Sequence, residues 1–248
     1  MAINYAYMFN QPIVKTVFLT GLVIVAIAAI IMLVNVISMI LTVRPLLGER
    51  KRMNIIKAII LTLIDELFVH RNLKRCRDET FRWIMHQFVL WGFAILMICT
   101  GLDSLELHHY IDMCSPTAPG YCEPLMHHLY EPIKIAFNVG GALLLFGSVA
   151  LIVRRATVKD AREATLNYDW YLIILLLIVA ITGFLAQGVR LAAAPEIAGA
   201  VVYAAHLVAV AILFITIPYT KAAHVVYRFV ALVLVNYKGV KKKERVIA

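Results

Sequence analysis

Five long apolar stretches punctuate this chain, at residues 17–43, 83–102, 133–153, 170–189 and 197–219, with charged or polar segments between them. About 20 apolar residues at 1.5 Å of rise each match the hydrocarbon thickness of a bilayer, so each stretch predicts a membrane-spanning α-helix. Two further apolar stretches read differently. Residues 53–69 (MNIIKAIILTLIDELFV) are broken by Lys57, Asp65 and Glu66, and 225–237 are short. Both suit helices lying in the membrane interface or packed beneath a bundle, as docking surfaces or plain connectors. The first stretch is about twice the length of a signal-peptide core and has only Lys15 ahead of it, so it predicts a retained helix. With no internal repeat and no low-complexity linker, residues 1–248 form a single membrane domain. The expected fold is all-α, an integral membrane five-helix bundle.

Composition makes the membrane assignment firm. Hydrophobic residues are 62% of the chain, charged residues 16%, and the mean hydropathy is +0.84, more apolar surface than a soluble domain can hide. The charges then orient the helices. Of 24 Lys and Arg, ten lie between Arg44 and Arg82, four between Arg154 and Arg162 and seven from Lys221 onward. Asp103 to Glu131 carries five acids and no Lys or Arg. The positive-inside rule puts the basic segments in the cytoplasm, the N-terminus outside and the C-terminus inside a cytoplasmic membrane. The net charge of +9 reports that topology and contact with anionic lipid, and argues no nucleic-acid partner.

Four cysteines form neither a CxxCH haem-attachment motif nor a four-cysteine cluster motif, so an iron–sulfur cluster would sit on another polypeptide. Cys114 and Cys122 share the outer loop, where they stand either as a disulfide or as two thiols.

The histidines carry the candidate chemistry. His206 and His224 are eighteen residues apart on what reads as the last spanning helix, five whole turns and roughly 27 Å along one face. His86 lies one turn inside the second helix, at the cytoplasmic depth expected of His224. Imidazoles ranked along a membrane helix suit b-type haem, one or two per chain, with His86 and His224 bridging helices two and five around one iron and His206 serving a second. The partner of His206 is open: Met97 stands as a ligand or a packing residue, and His128 is the alternative, while His127, His108, His109 and His70 read as structural. Any one of these imidazoles could instead hydrogen-bond a neighbouring helix. Arg190 and Arg228 are placed to pair with haem propionates or to snorkel to lipid phosphate. Gly140, Gly141, Gly147 and Gly183 would admit either a flat macrocycle or a close helix.

The segments HRNLKRC (70–76), RWIMHQFVLWGF (82–93), FNVGG (137–141), YDWYLIILLLIVAITGFLAQGVRL (168–191) and HLVAVAILFITIPYTKAAHVVYR (206–228) resemble a family of membrane cytochrome b subunits. They are similar to the C-subunit of the quinone-interacting membrane-bound oxidoreductase and to the E-subunit of heterodisulfide reductase, and more distantly to the gamma subunit of respiratory nitrate reductase. The resemblance covers His70 to Arg228, and the run from Pro218 to Arg228 is its most specific part. It implies an electron-transfer subunit of an oxidoreductase complex, holding haem b through His86, His206 and His224. Such a subunit works between a membrane quinone, or methanophenazine, and cytoplasmic iron–sulfur reductase subunits. By analogy with nitrate reductase, the quinone is expected near the outer haem, beside Lys134, Tyr130 and Glu131; on the cytoplasmic side Lys221 and Tyr219 are the alternatives. Two departures stand out. The nitrate reductase pattern has two histidines on its second helix where this chain has His86 and Met97, and the C-subunit's fused iron–sulfur domain is not in this sequence. That places the domain on a separate subunit, or the chain nearer the heterodisulfide reductase branch. The contrasting reading is a haem-free anchor for a soluble complex; a transporter would call for midplane carboxylates, and no Asp or Glu falls inside the five predicted spans.

Overall fold

The structure is a computed structural model. It describes residues 12–48, 53–65, 80–113, 130–192 and 195–239, with the backbone alone at 103–113, 130, 131, 190 and 196. The helices are α1 (Pro12–Val43), α2 (Ile55–Ile64), α3 (Thr80–Met113), α4 (Tyr130–Thr157), α5 (Lys159–Glu163), α6 (Asn167–Leu191), α7 (Glu196–Thr216) and α8 (His224–Lys238). Five of them, α1, α3, α4, α6 and α7, are long and apolar enough to cross a membrane. The protein is therefore an all-helical, multi-pass membrane protein, as the hydrophobic pattern predicts. The chain forms two compact units, 1–22 with 81–213, and 23–80 with 214–248.

In the first unit a core of Leu144 on α4, Leu175, Leu176, Val179 and Ala180 on α6, and Ala209 and Leu213 on α7 is flanked by Val89, Phe93 and Leu96 of α3. The first turns of α1 join through Val14 and Phe18, which pack on Ala200 and Tyr203 of α7. Large side chains such as Ile98, Ile135, Phe146 and Leu185 are instead exposed. That arrangement suits lipid, where hydrophobicity does not drive helices together and close backbone approach does. The α3–α4 contact shows it: a Cβ added at Gly92 would lie 2.5 Å from the Leu144 nitrogen and 2.8 Å from the Gly140 carbonyl oxygen. Between α4 and α6 the chain turns through the short α5. There Arg155 Nη1 donates to the Asp169 carbonyl (3.3 Å), and the Asp169 carboxylate accepts from the Leu166 N–H (3.0 Å).

The second unit pairs α2 with α8. Asn54 caps α2 by accepting the Ile56 N–H (3.1 Å), leaving fewer orphan donors at the helix start. Thr62 gives its hydroxyl proton to the Ala58 carbonyl (2.7 Å) and accepts from Asn236 Nδ2 of α8 (2.9 Å). The Gly48 N–H donates to the Gly239 carbonyl (2.9 Å), and Gly239 ends α8 at φ 75°, a left-handed conformation that glycine adopts without strain. A Cβ at Gly48 would meet the Lys238 carbonyl oxygen at 2.6 Å. The helices α2 and α8 correspond to the two short stretches expected at the interface, residues 66–69 lying outside the described part.

One expectation is overturned. His206 and His224 do not share a continuous helix. The α-helix stops at Thr216, a 3₁₀ turn spans Ile217–Tyr219, Thr220 is extended (φ −111°, ψ 173°), a second 3₁₀ turn spans Lys221–Ala223, and His224 opens α8. Pro218 is the cause: it has no N–H for the Phe214 carbonyl, its ring crowds that carbonyl, and it disfavours α geometry at Ile217. Thr220 meets the freed Ile217 carbonyl with its N–H (3.2 Å) and its hydroxyl (3.3 Å). The five-turn spacing argument therefore does not apply to this pair.

Candidate cofactor site

His206 is the predicted residue around which the first unit builds a cavity. The space, about 200 Å³, is bounded by α3, α4, α6 and α7, and Lys134, Gln187, Tyr203 and Thr100 are the polar side chains on its wall beside His206. The imidazole is held on two sides. Its Nδ1 lies 2.9 Å from Thr182 Oγ1 on α6, and a Cβ added at the neighbouring Gly183 would sit 3.2 Å from its Cε1. A side chain there would press on the ring, which would have to give by a few tenths of an ångström. With Nδ1 engaged by Thr182, Nε2 is the nitrogen left for a ligand, the arrangement metal-binding histidines commonly show. Among the described residues no group of three or more His, Cys, Asp or Glu is arranged to hold a metal ion.

The other predicted residues fall as follows. Lys134, the second residue of the third predicted span, lines the same cavity as His206. Met97 is 47% exposed, and the α3 residues on the cavity wall are Leu96 and Thr100 instead. His86 is half-buried on α3, its Nδ1 sealed from solvent, ten to fourteen residues before those wall residues. His224 is exposed at the start of α8, in the second unit, and its Nδ1 donates to the Lys221 carbonyl. Arg228, half-buried, follows one turn later on α8. His128 lies outside the described residues, as do His70, His108, His109, His127, Cys114 and Cys122 in whole or in side chain; the side chains of Tyr130, Glu131 and Arg190 do too.

Of the glycines, Gly183 and Gly141 line the cavity, whereas Gly140 and Gly147 serve the α3–α4 contact. Thr182, Gln187 and Tyr203 do not stand out in the sequence. Thr182 offers one signal there, a lone hydroxyl beside a glycine inside an otherwise aliphatic run. Two polar groups near the α3–α4 contact have no hydrogen-bond partner among the described residues, the Gln87 amide and the Ser148 hydroxyl.

Comparison with known proteins adds identity to this geometry. Residues 56–232 match the HdrE family, the E-subunit of dihydromethanophenazine:CoB–CoM heterodisulfide reductase. An E-subunit of this reductase from Methanosarcina thermophila is 33% identical over 184 residues, 71% of this chain and 65% of that protein. The E-subunit of Methanosarcina barkeri is 34% identical over 129 residues, 52% of this chain and 45% of that protein. An EtfAB:quinone oxidoreductase of Syntrophomonas wolfei is 29% identical over 110 residues, 44% of this chain and 14% of that protein. The chain thus spans between about half and two thirds of the length of the HdrE relatives it matches. No solved structure matches it. With the family match covering most of the chain and extending through all the spans from α3 onward, this protein belongs to the HdrE family of heterodisulfide reductase membrane subunits.

Proposed function

We propose that this chain is the haem b membrane subunit of a respiratory oxidoreductase complex, moving electrons between a lipid-soluble carrier, a quinone or methanophenazine, and a cytoplasmic iron–sulfur partner. The observation that carries the reading is the His206 imidazole, set in a walled cavity with one nitrogen engaged and the other left to a ligand. The residues fit a b-type haem: the His206 imidazole would hold the iron, Gly183 leaves room for the ring, and Lys134 would meet anionic oxygens. At about 200 Å³ the cavity is below the ~300–1,000 Å³ of ordinary ligand pockets. The imidazole, not the volume, therefore supports the assignment.

His86 and His224 are proposed as further haem ligands, His128 as the candidate that would serve the same haem as His206, and Arg190 and Arg228 as propionate partners; Met97, off the cavity wall, is left as a packing residue. Bound haem supplies reversible one-electron chemistry. The protein's own part would be to hold the group through its imidazoles, exclude water with apolar helix faces and present charge to the carrier. Lys134 is proposed to serve the carrier's oxygens or nitrogens, together with Tyr130 and Glu131; its place on the His206 cavity supports that role. The names of the relatives, one set for dihydromethanophenazine and another for quinone, support a lipid-soluble redox carrier as the substrate.

The test is a dithionite-reduced minus oxidised spectrum of the purified full chain with a pyridine haemochrome count. The expected result is a b-type α band at one or two haems per polypeptide, with one lost in His206→Ala. No haem in protein made with ample haem supply would overturn the reading in favour of a haem-free anchor.

A further inference from the structure

Thr182 does more than touch His206. Its hydroxyl has one proton, and it lies 2.8 Å from the carbonyl oxygen of Ile178 one turn back on α6, with the Val179 carbonyl at 3.2 Å. A threonine inside a helix commonly gives its proton to such a carbonyl. The oxygen that remains is then an acceptor, and the group 2.9 Å away is His206 Nδ1. An acceptor there calls for a proton on Nδ1. The chain Nδ1–H to Oγ1–H to the Ile178 carbonyl makes two hydrogen bonds, each polarising the other. The opposite tautomer makes one of these two: Thr182 would donate to a bare Nδ1, and the Ile178 contact would lose its proton. Two bonds against one favours the Nδ1–H tautomer.

We propose that Thr182 is a positioning residue for His206, fixing the imidazole as the Nδ1–H tautomer and leaving the Nε2 lone pair for a ligand in the cavity. The role in tuning an iron rests on the proposed haem function; the tautomer does not. A hydrogen bond from Nδ1–H to an oxygen makes the imidazole more electron-donating and so favours the oxidised metal. Gly183 complements it, since a side chain there would press on the ring from the same helix.

The test uses the full chain in three steps. His206→Ala should lose haem; an unchanged haem content overturns the ligand assignment and, with it, the tuning role. Thr182→Val, similar in shape but without the hydroxyl, should keep the haem and raise its midpoint potential, on the order of a tenfold change in the reduced-to-oxidised ratio, ~59 mV for one electron. Thr182→Ser should stay at the wild-type value. A Thr182→Val potential equal to wild type, or a Thr182→Ser potential equal to that of Thr182→Val, overturns the proposal. Should Thr182→Val fail to hold haem, Thr182→Ala carries the same comparison. In protein made without haem, ¹⁵N-histidine spectra read the tautomer directly. Nδ1 protonated in the wild type and in Thr182→Ser, and mixed in Thr182→Val, is expected; an Nε2–H wild-type ring overturns the proposal whatever becomes of the haem reading.

Discussion

Single atoms have unequal consequences across the α3–α4 contact. A methyl at Gly92 would land 2.5 Å from one backbone atom and 2.8 Å from another, neither of which can rotate away. Gly92→Ala must therefore part the helices, and overpacking of this kind costs about 1–3 kcal/mol. The measurement is thermal unfolding in detergent, where a clear drop is expected; an unchanged midpoint would mean the helices do not meet there. Ser148 makes the opposite case. It is fully buried and its hydroxyl has no partner among the described residues, so the oxygen carries a desolvation cost with nothing set against it. Ser148→Ala should leave the midpoint unchanged or raise it, and a fall of several degrees would show that the hydroxyl serves a group outside the described residues. Gly183 is intermediate, since its added methyl would meet a side chain, the His206 ring, and that ring can give by a few tenths of an ångström.

At the scale of elements, α2 is an unusual helix. It is ten residues long, about 15 Å, too short to cross a bilayer, yet Ile56, Ile60 and Ile64 are 62%, 51% and 47% exposed while Ala58 and Thr62 are buried. Its polar link to α8, Asn236 to Thr62, fixes which face turns outward. We propose that the outward face lies in the membrane interface, as the broken apolar pattern predicts. A tryptophan at Ile60→Trp should emit at short wavelength and be quenched by brominated lipid, whereas emission typical of water would place that face in solvent or against a soluble partner. Asn236→Ala should weaken the pair by about 0.6 kcal/mol, the average for such bonds in membrane proteins. Both helices are legible in the sequence because short amphipathic runs differ in length and in charge from spans. The break at Thr220 is not, since Pro218 lies inside the stretch 197–219 and figures only as part of a motif. The α-helical period says which face a residue takes only while the helix lasts.

Across the whole molecule, the apolar surface decides where the protein resides. Five helices qualify as spans by length and composition, and at most 28% of any such span is buried inside the protein itself. What covers the rest is the hydrocarbon of a membrane or the helices of partner subunits. The distribution of Lys and Arg leads us to propose an outside N-terminus and a cytoplasmic C-terminus. A fluorescent protein fused after residue 248 should then fluoresce, and an alkaline phosphatase at the same point should be inactive; the reverse pattern would invert the topology. The existence of the five spans can be read from the sequence because bilayer thickness imposes a minimum length on all of them, whereas α3 runs on to Met113, eleven residues past the stretch that predicts it. The cavity cannot. His206 and Lys134 announce themselves as polar groups in apolar surroundings, but which α6 residues meet the imidazole depends on how two helices dock, and no one-dimensional pattern encodes that.

The interruption at Thr220 also changes what mutation can do to this protein. In an unbroken helix, adding or removing one residue rotates everything beyond it by about 100°, so His206 and His224 could not be adjusted separately. Here the turns between Thr216 and His224 absorb such a change, because neither carries an α-helical register forward. An insertion or deletion between Thr216 and His224 is therefore expected to shift His224 without the fixed rotation of about 100° that a continuous helix would impose.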